Sequence, residues 1–231
     1  MNNLLESGEI TVEGRLVDAS NATLFVSITD GESSTQAIYK PVAGERPLWD
    51  FPDGNLASRE RAAFLIDRAL GFNHVPETIL RDGPFGIGMV QQWIDIDEDV
   101  DLEYFFRLND SQLREVALFD AVINNTDRKI GHLIPEKGGH LYICDHGVTF
   151  HEEDKLRTVL WQWAGEKLTT DEITTLQSLL RFLASADANE LRDLLTPVEI
   201  SATKERIEKL ISTSLFPEPN PEWPHIPWPP F

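Results

Sequence analysis

Cysteine and long apolar runs are both scarce in this sequence, and each scarcity excludes a class of protein. The single cysteine, Cys144, cannot form a disulfide within the chain and excludes a cysteine-rich zinc site. No stretch approaches the roughly 18 consecutive apolar residues of a membrane span, and the acidic N-terminus lacks the basic start of a signal peptide. We therefore expect a cytoplasmic protein.

Positive charge is also in short supply. The chain has 20 Lys and Arg residues against 39 Asp and Glu residues, which leaves a net charge of −19. A surface of that sign repels the phosphates of nucleic acids and the headgroups of anionic membranes. We therefore expect no nucleic-acid partner, and the charge disfavours a membrane partner. The 41% of hydrophobic residues among 231 is enough to bury a core.

The most informative stretch runs from residue 119 to residue 147. An apolar helical segment ends there in a polar loop that carries Asp127 and His132, and a short strand-like run then leads to Asp145. A protein-kinase catalytic loop has an aspartate followed at a fixed offset by an asparagine, with a metal-binding D-F-G element further along the chain. Here His132 stands at that offset from Asp127, and Asp145-His146-Gly147 falls at the D-F-G position.

On these residues the chain resembles the catalytic core of the phosphatidylinositol 3- and 4-kinase superfamily. The loops of that superfamily read much like Asn-Thr-Asp-Arg after an apolar helix, and the likeness is greatest to an actinobacterial group of proteins. The resemblance implies an α+β, two-lobed protein-kinase-like fold. We expect an antiparallel-sheet N-terminal lobe over residues 1–94, a mainly helical lobe with the catalytic loop over 95–216, and a proline- and aromatic-rich tail over 217–231.

The resemblance also implies ATP and either Mg²⁺ or Mn²⁺ as cofactors. Asp127 would orient the acceptor hydroxyl and take its proton, and Asp145 would bind the metal, because hard cations prefer carboxylate oxygen. Arg128 or Lys129 would offset charge on the transferred phosphate. Each of these residues has an ordinary structural alternative, since Asp–Arg pairs commonly cap turns.

His132 departs from the kinase pattern. An imidazole nitrogen is a softer ligand than the expected asparagine oxygen and suits Mn²⁺ or Zn²⁺ better than Mg²⁺. Three outcomes stay open: a site for one metal, a preference for Mn²⁺, or a nucleotide-binding pseudoenzyme. Asn124 and Asn125 are close enough in sequence to replace the missing asparagine. His146, at the phenylalanine position of the D-F-G element, is expected to pack or to form hydrogen bonds.

The N-terminal region predicts a β-hairpin over residues 10–28 with a polar turn. In a kinase-like frame this turn would cover the nucleotide phosphates with backbone N–H groups and Ser20, although it lacks the glycine-rich pattern. A third strand over 35–41 would end near Lys40, and a helix over 56–70 would carry Glu60 in its first turns. Kinases hold the α- and β-phosphates with a lysine and a glutamate placed in this way.

A second hairpin, over residues 78–94, would complete a sheet of about five strands. The connection Trp93-Ile94-Asp95 would be the hinge whose backbone meets the adenine edge, with Met89 or Gln91 lining the pocket. The acidic run 95–101 lacks the central glycine and final glutamate of an EF-hand loop and predicts a solvated linker.

The C-terminal half predicts helices around a substrate-binding segment. A helix over 111–123 would be capped by Asp110 or Ser111 and would bury Asp120, which is expected to accept hydrogen bonds from the loop beneath it. After Gly147, the basic residues Lys155 and Arg157 could receive an anionic substrate. Further helices are predicted over these ranges: 157–165, 170–183 with Thr170 or Asp171 as its cap, 186–195 and 197–212.

Together these features predict an ATP- and divalent-metal-dependent phosphotransferase acting on a small soluble or protein hydroxyl. Two alternatives stay open: a catalytically weak pseudokinase that serves as a nucleotide-binding regulatory module, and nucleotidyl or phosphate-to-phosphate transfer on the same scaffold. The tail is expected to dock on its own domain or on a partner, because it combines proline with aromatic residues.

Overall fold

The computed structural model describes residues 2–16 and 21–231. Its first part is an antiparallel sheet of five strands in the spatial order β1-β2-β3-β5-β4. The strands are β1 (Glu9–Arg15), β2 (Leu24–Thr29), β3 (Ser34–Pro41), β4 (Thr78–Gly83) and β5 (Gly86–Gln92). The predicted α+β class and antiparallel sheet are confirmed. The turn predicted to contain Ser20 lies outside the described residues.

Helices supply most of the remaining regular structure. They are α1 (Asn2–Ser7), α2 (Leu56–Leu70), α3 (Leu102–Phe105), α4 (Ser111–Ile123), α5 (Thr170–Ala184), α6 (Asn189–Leu194) and α7 (Pro197–Thr213). A small two-stranded sheet, β6 (Leu133–Pro135) and β7 (Leu141–Ile143), lies between α4 and α5 in the sequence. Short 3-10 turns occupy residues 42–44, 130–132 and 186–188.

One face of the five-stranded sheet packs into an apolar cluster, and the other face carries Lys40. Tyr39 on β3 is fully buried in an apolar cluster that includes Leu5 of α1. Because side chains alternate along a strand, Lys40 points to the opposite face. Lys40 is paired with Met89, and Gln91 lies two residues further along β5. Met89 and Gln91 therefore share the face that carries Lys40.

Helix α2 joins the sheet to the rest of the molecule. Its N-cap is Asn55, whose side chain accepts a hydrogen bond from Ser58 N–H at 2.7 Å, and Gly71 ends it in the left-handed conformation at φ 78°. The helix contacts β4 and β5 on one side and α5 and α6 on the other. Any side chain on α2 that faces the sheet is therefore fixed by both parts of the fold.

Helix α4 is the centre of the main apolar core. Leu113, Val116, Leu118 and Phe119 are all fully buried in a cluster shared with α2, α5 and α7. The bounds of α4 agree with the prediction, and Asp110 caps it by accepting N–H bonds from the first turn. The catalytic-loop motif follows directly after this helix, so the loop starts from a rigid support.

The prediction of a helix over residues 157–165 is wrong, because the segment is irregular. Its backbone groups bond to distant segments instead: Thr158 N–H donates to His225 O, and Val159 N–H donates to Arg128 O. Gly165 then adopts a φ of 71°, which no right-handed helix accommodates. Apolar spacing alone did not reveal these competing partners.

The later helices agree more closely with the prediction. Helix α5 is capped by Thr169, one residue before the expected caps, through a capping box with Glu172. The predicted helix over 186–195 is divided into a 3-10 turn and α6. Across the described ranges, none of the helices combines the length and apolar character that crossing a bilayer requires.

Candidate functional site

Lys40 joins two acidic residues that come from different parts of the chain. Its Nζ lies 2.7 Å from Glu60 Oε1 on α2 and 3.0 Å from Asp145 Oδ1 after β7. The Glu60 side chain is 1% exposed, whereas the Asp145 side chain is 52% exposed. The ammonium therefore has one buried partner that holds it in place and one partner that solvent can reach.

The charges of this group stabilise one another. Burial would lower the pKa of Lys40, but the carboxylates of Asp145 and Glu60 outweigh burial and raise it above its ordinary value. Burial would raise the pKa of Glu60, yet the Lys40 ammonium and the hydrogen bond from His146 lower it to about 2. The Lys40 charge also lowers the pKa of Asp145. All three side chains are therefore ionised at neutral pH.

The backbone around Asp145 is held tightly although its side chain is exposed. Asp145 has a left-handed φ of 63°, an unusual conformation for a residue other than glycine. Cys144 N–H donates to His132 O at 3.1 Å, and His146 N–H donates to Glu60 Oε2 at 2.9 Å. Left-handed non-glycine residues of this kind cluster at functional sites, where the surrounding structure enforces them.

His132 faces the same carboxylate. Its Nε2 lies 3.6 Å from Asp145 Oδ2, and its Nδ1 accepts the Lys129 N–H at 3.3 Å. Burial lowers the pKa of His132 to about 4, so the ring is neutral at pH 7. Because Nδ1 accepts a hydrogen bond, the proton of the neutral ring is on Nε2. The ring thus presents an N–H donor to Asp145 and no free lone pair to a metal.

Asp127 lies beside this group at the base of the loop. Lys129 Nζ is 3.4 Å from Asp127 Oδ2, and the Asp127 side chain is 32% exposed. Burial raises the pKa of Asp127, Lys129 opposes that shift, and the negative charge of Asp145 adds to it. The two aspartates therefore interact electrostatically in one site.

Arg128 has no exposed surface, and its guanidinium is bonded to protein groups. Nε and one terminal nitrogen of the guanidinium donate to the Asp120 carboxylate at 2.9 to 3.2 Å, and the other terminal nitrogen donates to Cys144 O at 2.9 Å. Asp120 also accepts hydrogen bonds from Asn125 and Thr158. The prediction that Asp120 receives hydrogen bonds from the loop is confirmed, and Arg128 is the main donor.

His146 connects this buried pair to the Lys40 group. A terminal nitrogen of Arg128 lies 2.8 Å from His146 Nε2, which must accept because arginine only donates. The ring proton therefore sits on Nδ1, 3.7 Å from Glu60 Oε2. Burial, followed by the Arg128 charge, lowers the pKa of His146 and keeps it neutral. The ring Nδ1 has no hydrogen-bond partner among the described residues, and the backbone N–H of His146, which donates to Glu60 Oε2 at 2.9 Å, completes a polar chain from Asp120 to Lys40.

The two asparagines of the loop support the backbone. Asn124 Nδ2 donates to the carbonyls of His151 and Glu153, and its oxygen accepts Lys155 N–H. Asn125 donates to the Asp120 carboxylate, and its oxygen accepts Asp127 N–H. Both amide groups are thus used inside the fold, away from the metal-ligand role considered from the sequence.

The residues predicted to contact adenine lie at the end of β5. Gln91 is buried, and its side chain donates to Thr78 Oγ1 at 2.8 Å. Trp93 packs edge-on against Phe25 with ring centroids 5.0 Å apart, and Trp93 N–H donates to Gln36 O. Ile94 follows in an irregular, half-buried segment. Gln91 is paired with Ile38 on β3, two residues before Lys40, so its side chain lies on the same face of the sheet as Lys40.

Lys155 and Arg157, predicted to receive substrate, contact other parts of the protein. Lys155 is 5% exposed, and its ammonium lies over the rings of Trp49 and Trp223 at 5.4 and 5.2 Å from the centroids. Arg157 Nε donates to Pro224 O at 3.0 Å. The two basic residues therefore anchor neighbouring segments.

Two contacts of the site have no signal, or only a weak one, in the sequence. The link between His146 and Arg128 joins residues 18 positions apart and depends on the fold. The tryptophans of the tail were the signal for its contact with Lys155, because the face of a tryptophan ring attracts a cation.

Comparison with solved structures identifies the fold. The chain matches the Golgi casein kinase with a TM-score of 0.54 and 16% identity, over 91% of this chain and 73% of that one. The Golgi casein kinase with Mn/ADP bound gives the same score and identity, with 74% of its chain covered. The fold is therefore protein-kinase-like, as predicted.

Sequence comparison then gives the family. The chain is 41% identical to Protein Rv2133c of Mycobacterium tuberculosis, over 99% of this chain and 94% of that one. It belongs to the same family as that mycobacterial protein. No family model matches the sequence, and membership of the phosphatidylinositol 3- and 4-kinase superfamily stays a prediction.

Proposed function

We propose that this protein is a phosphotransferase with a phosphatidylinositol 3-/4-kinase-like core that uses ATP and a divalent cation. It transfers the γ-phosphoryl group to a hydroxyl of a small soluble or protein acceptor, in the cytoplasm. The observation that carries the proposal is the contact of Lys40 with both Glu60 and Asp145, beside Asp127. The net charge of −19 gives no reason to propose a nucleic-acid or membrane partner.

Lys40 and Glu60 are the proposed phosphate-holding pair. Glu60 is buried and fixed by α2, so it holds the Lys40 ammonium at the edge of the sheet. The partner that solvent reaches, Asp145, can be exchanged for phosphate oxygens without exposing Glu60. Positioning and charge neutralisation of this type account for most of the catalysis of phosphoryl transfer.

Asp127 is the proposed base. It remains partly exposed, and burial brings its pKa upward, closer to the pH at which it would accept a proton. Lys129, 3.4 Å away, is the residue that we propose to face the transferred phosphate. Arg128 is proposed to position the loop through Asp120, because its guanidinium is buried and paired.

Asp145 fits a hard divalent cation. Within the described residues no group of three or more His, Cys, Asp or Glu side chains is arranged to hold a metal. Mg²⁺ needs no such group, because it commonly binds through one or two carboxylates together with waters and substrate phosphates. When bound, the cation would neutralise charge on the β- and γ-phosphates.

The orientation of His132 favours a second candidate, a nucleotide-binding pseudokinase. Its Nε2–H points to Asp145, so the position that supplies a metal ligand in kinases supplies a hydrogen-bond donor here. A site with one metal ligand of its own would bind nucleotide and transfer phosphate slowly or not at all. The two candidates share nucleotide binding and differ in turnover.

Thermal unfolding with ATP, with and without Mg²⁺ or Mn²⁺, tests the nucleotide site. A metal-dependent rise in Tm supports both candidates, and the absence of any rise contradicts both. Analysis of the products formed from ATP then separates phosphoryl transfer, which releases ADP, from nucleotidyl transfer, which releases pyrophosphate. The Asp127→Ala variant should lose ADP formation while keeping the Tm shift, and unchanged ADP formation would remove Asp127 from its proposed role.

A further inference from the structure

The tail, residues 217–231, lies against the chain on one side of Asp127. Ile130 N–H donates to Pro230 O at 2.9 Å. The ring of Phe231 lies beside Gly131, 3.8 Å from the point that a Cβ at that glycine would occupy. Ile130 and Gly131 are three and four residues after Asp127, so the tail borders the catalytic loop itself.

The tail also lies against the segment on the other side of the site. Thr158 N–H and the Trp161 indole N–H both donate to His225 O, at 3.0 and 2.9 Å. Arg157 donates to Pro224 O at 3.0 Å. The backbone of Arg157 is bonded on either side of Asp127: its N–H donates to Asn125 O at 2.8 Å, and its carbonyl accepts Arg128 N–H at 3.0 Å. Both flanks of Asp127 are therefore in contact with the same tail.

Trp223 holds the tail in place through two cation–π contacts. Lys155 Nζ and the Arg157 guanidinium lie over its ring, each 5.2 Å from the centroid. Lys155 also lies over Trp49, so the tail is tied to the segment after the D-F-G position and to the loop after β3. Trp228, by contrast, is 88% exposed and belongs to the same tail without anchoring it.

These contacts are of the kind that bind an extended peptide. Such peptides are held through main-chain hydrogen bonds, and proline-rich ones also dock in aromatic-lined grooves. Here the carbonyls of Pro224, His225 and Pro230 already accept hydrogen bonds from both segments that flank Asp127, through Ile130 on one side and Arg157, Thr158 and Trp161 on the other. The Asp127 side chain is still 32% exposed, so it stays in contact with solvent while the tail is in place.

We infer that the tail covers the surface beside Asp127 on which a polypeptide acceptor would lie. The acceptor is therefore a small hydroxyl compound and not a protein. The inference rests on the proposed phosphotransferase function and narrows its acceptor class. Trp223 then contributes to acceptor specificity by holding the tail in place, and it does not contact the reacting atoms.

The test compares full-length wild type with Trp223→Ala and Trp223→Ala/Phe231→Ala, and uses Trp228→Ala as the matched control on the same tail. Hydrogen exchange at the amides of Ile130 and Thr158 reports release of the tail, because both donate to it. Two rates are measured with ATP and Mg²⁺ or Mn²⁺: hydrolysis, in which water is the acceptor, and phosphorylation of dephosphorylated casein as a polypeptide probe.

We expect wild type and Trp228→Ala to hydrolyse ATP without phosphorylating casein. In the released variants both amides should exchange at least about 10-fold faster, casein phosphorylation should rise at least about 10-fold, and ATP hydrolysis should stay within about two-fold. Three results would overturn the inference and leave the proposed function standing. They are casein phosphorylation by wild type, no gain in casein phosphorylation in a released variant, and amides that exchange equally in every variant. Absence of ATP hydrolysis in every protein would instead overturn the proposed function, and the inference with it.

Discussion

Lys40 Nζ lies 3.0 Å from Asp145 Oδ1, although 105 residues separate the two in the sequence. The same ammonium is bonded to Glu60 at 2.7 Å. A single cation thus joins the five-stranded sheet, α2 and the segment after β7. In the proposed phosphotransferase these three elements meet around one nucleotide.

The first prediction concerns the stability of this junction. Lys40→Met leaves the nearly fully buried Glu60 carboxylate without its cation, and removing one partner of a buried pair is strongly destabilising. We expect the free energy of unfolding to fall by about 3 kcal/mol, the lower end of the usual range, because Lys40 keeps some contact with solvent. Urea unfolding at pH 7 measures the change.

The pH dependence of that stability supplies the control. The pKa of Glu60 is lowered from 4.5 to about 2, so its pairing stabilises the fold fully above pH 4.5 and the contribution is lost as pH falls toward 2. Wild type should therefore lose stability in that window, and Lys40→Met/Glu60→Gln should lose less. Equal slopes for the two proteins would contradict the pairing.

The second prediction separates activity from stability at Asp127. Burial raises its pKa, so the ionised form is disfavoured in the folded state, and this cost appears as pH rises through the folded pKa. Asp127→Asn should reduce phosphoryl transfer by about 10²- to 10⁴-fold and raise the Tm at pH 7 by about 1 to 3 °C. The gain in Tm should vanish below pH 3.8. A lower Tm at neutral pH would refute the assigned electrostatics.

The third prediction concerns His132. His132→Asn places a carbonyl oxygen where the wild type presents an N–H to Asp145. We expect the Mg²⁺ concentration for half-maximal nucleotide-dependent stabilisation to fall by about 10-fold, with any preference for Mn²⁺ reduced. His132→Phe, which supplies no ligand, is the matched control. The same metal response in all three proteins would show that this position takes no part in metal binding.

The fourth prediction concerns His146. His146→Phe introduces the usual kinase residue but removes one of the two acceptors of a fully buried Arg128 nitrogen, which also donates to Asp120. Leaving one of its buried N–H groups unpaired should lower the free energy of unfolding by about 1 to 3 kcal/mol. His146→Gln retains an acceptor and should lose less. If phenylalanine is tolerated as well as glutamine, the polar chain from Asp120 to Lys40 does not stabilise the fold.

Sequence patterns predicted the elements whose signals are local. The bounds of α2 and α4 follow from apolar spacing with clear caps, and both agree with the structure. Residues 157–165 show the same kind of spacing but are not helical, because their backbone bonds go to Arg128 and His225. Such partners are remote in sequence, and no local pattern contains them.

The site residues also divide into those that local motifs predict and contacts that depend on distant packing. The offset between Asp127 and His132 and the order of Lys40, Glu60 and Asp145 were readable from the sequence. Their contacts, and the burial of Lys155 between two tryptophans, depend on how distant segments pack. Motif spacing therefore predicts which residues to examine, and packing decides which of them stay accessible.

Calorimetric titration of ATP with Mg²⁺ or Mn²⁺ tests the central claim most directly. Wild type and Trp228→Ala should bind one nucleotide per chain, and Asp145→Asn and Lys40→Met, each shown to be folded by circular dichroism, should bind at least about 10-fold more weakly. Absence of saturable binding to wild type, or equal affinity in all four proteins, would contradict the claim that Lys40 and Asp145 form a nucleotide site.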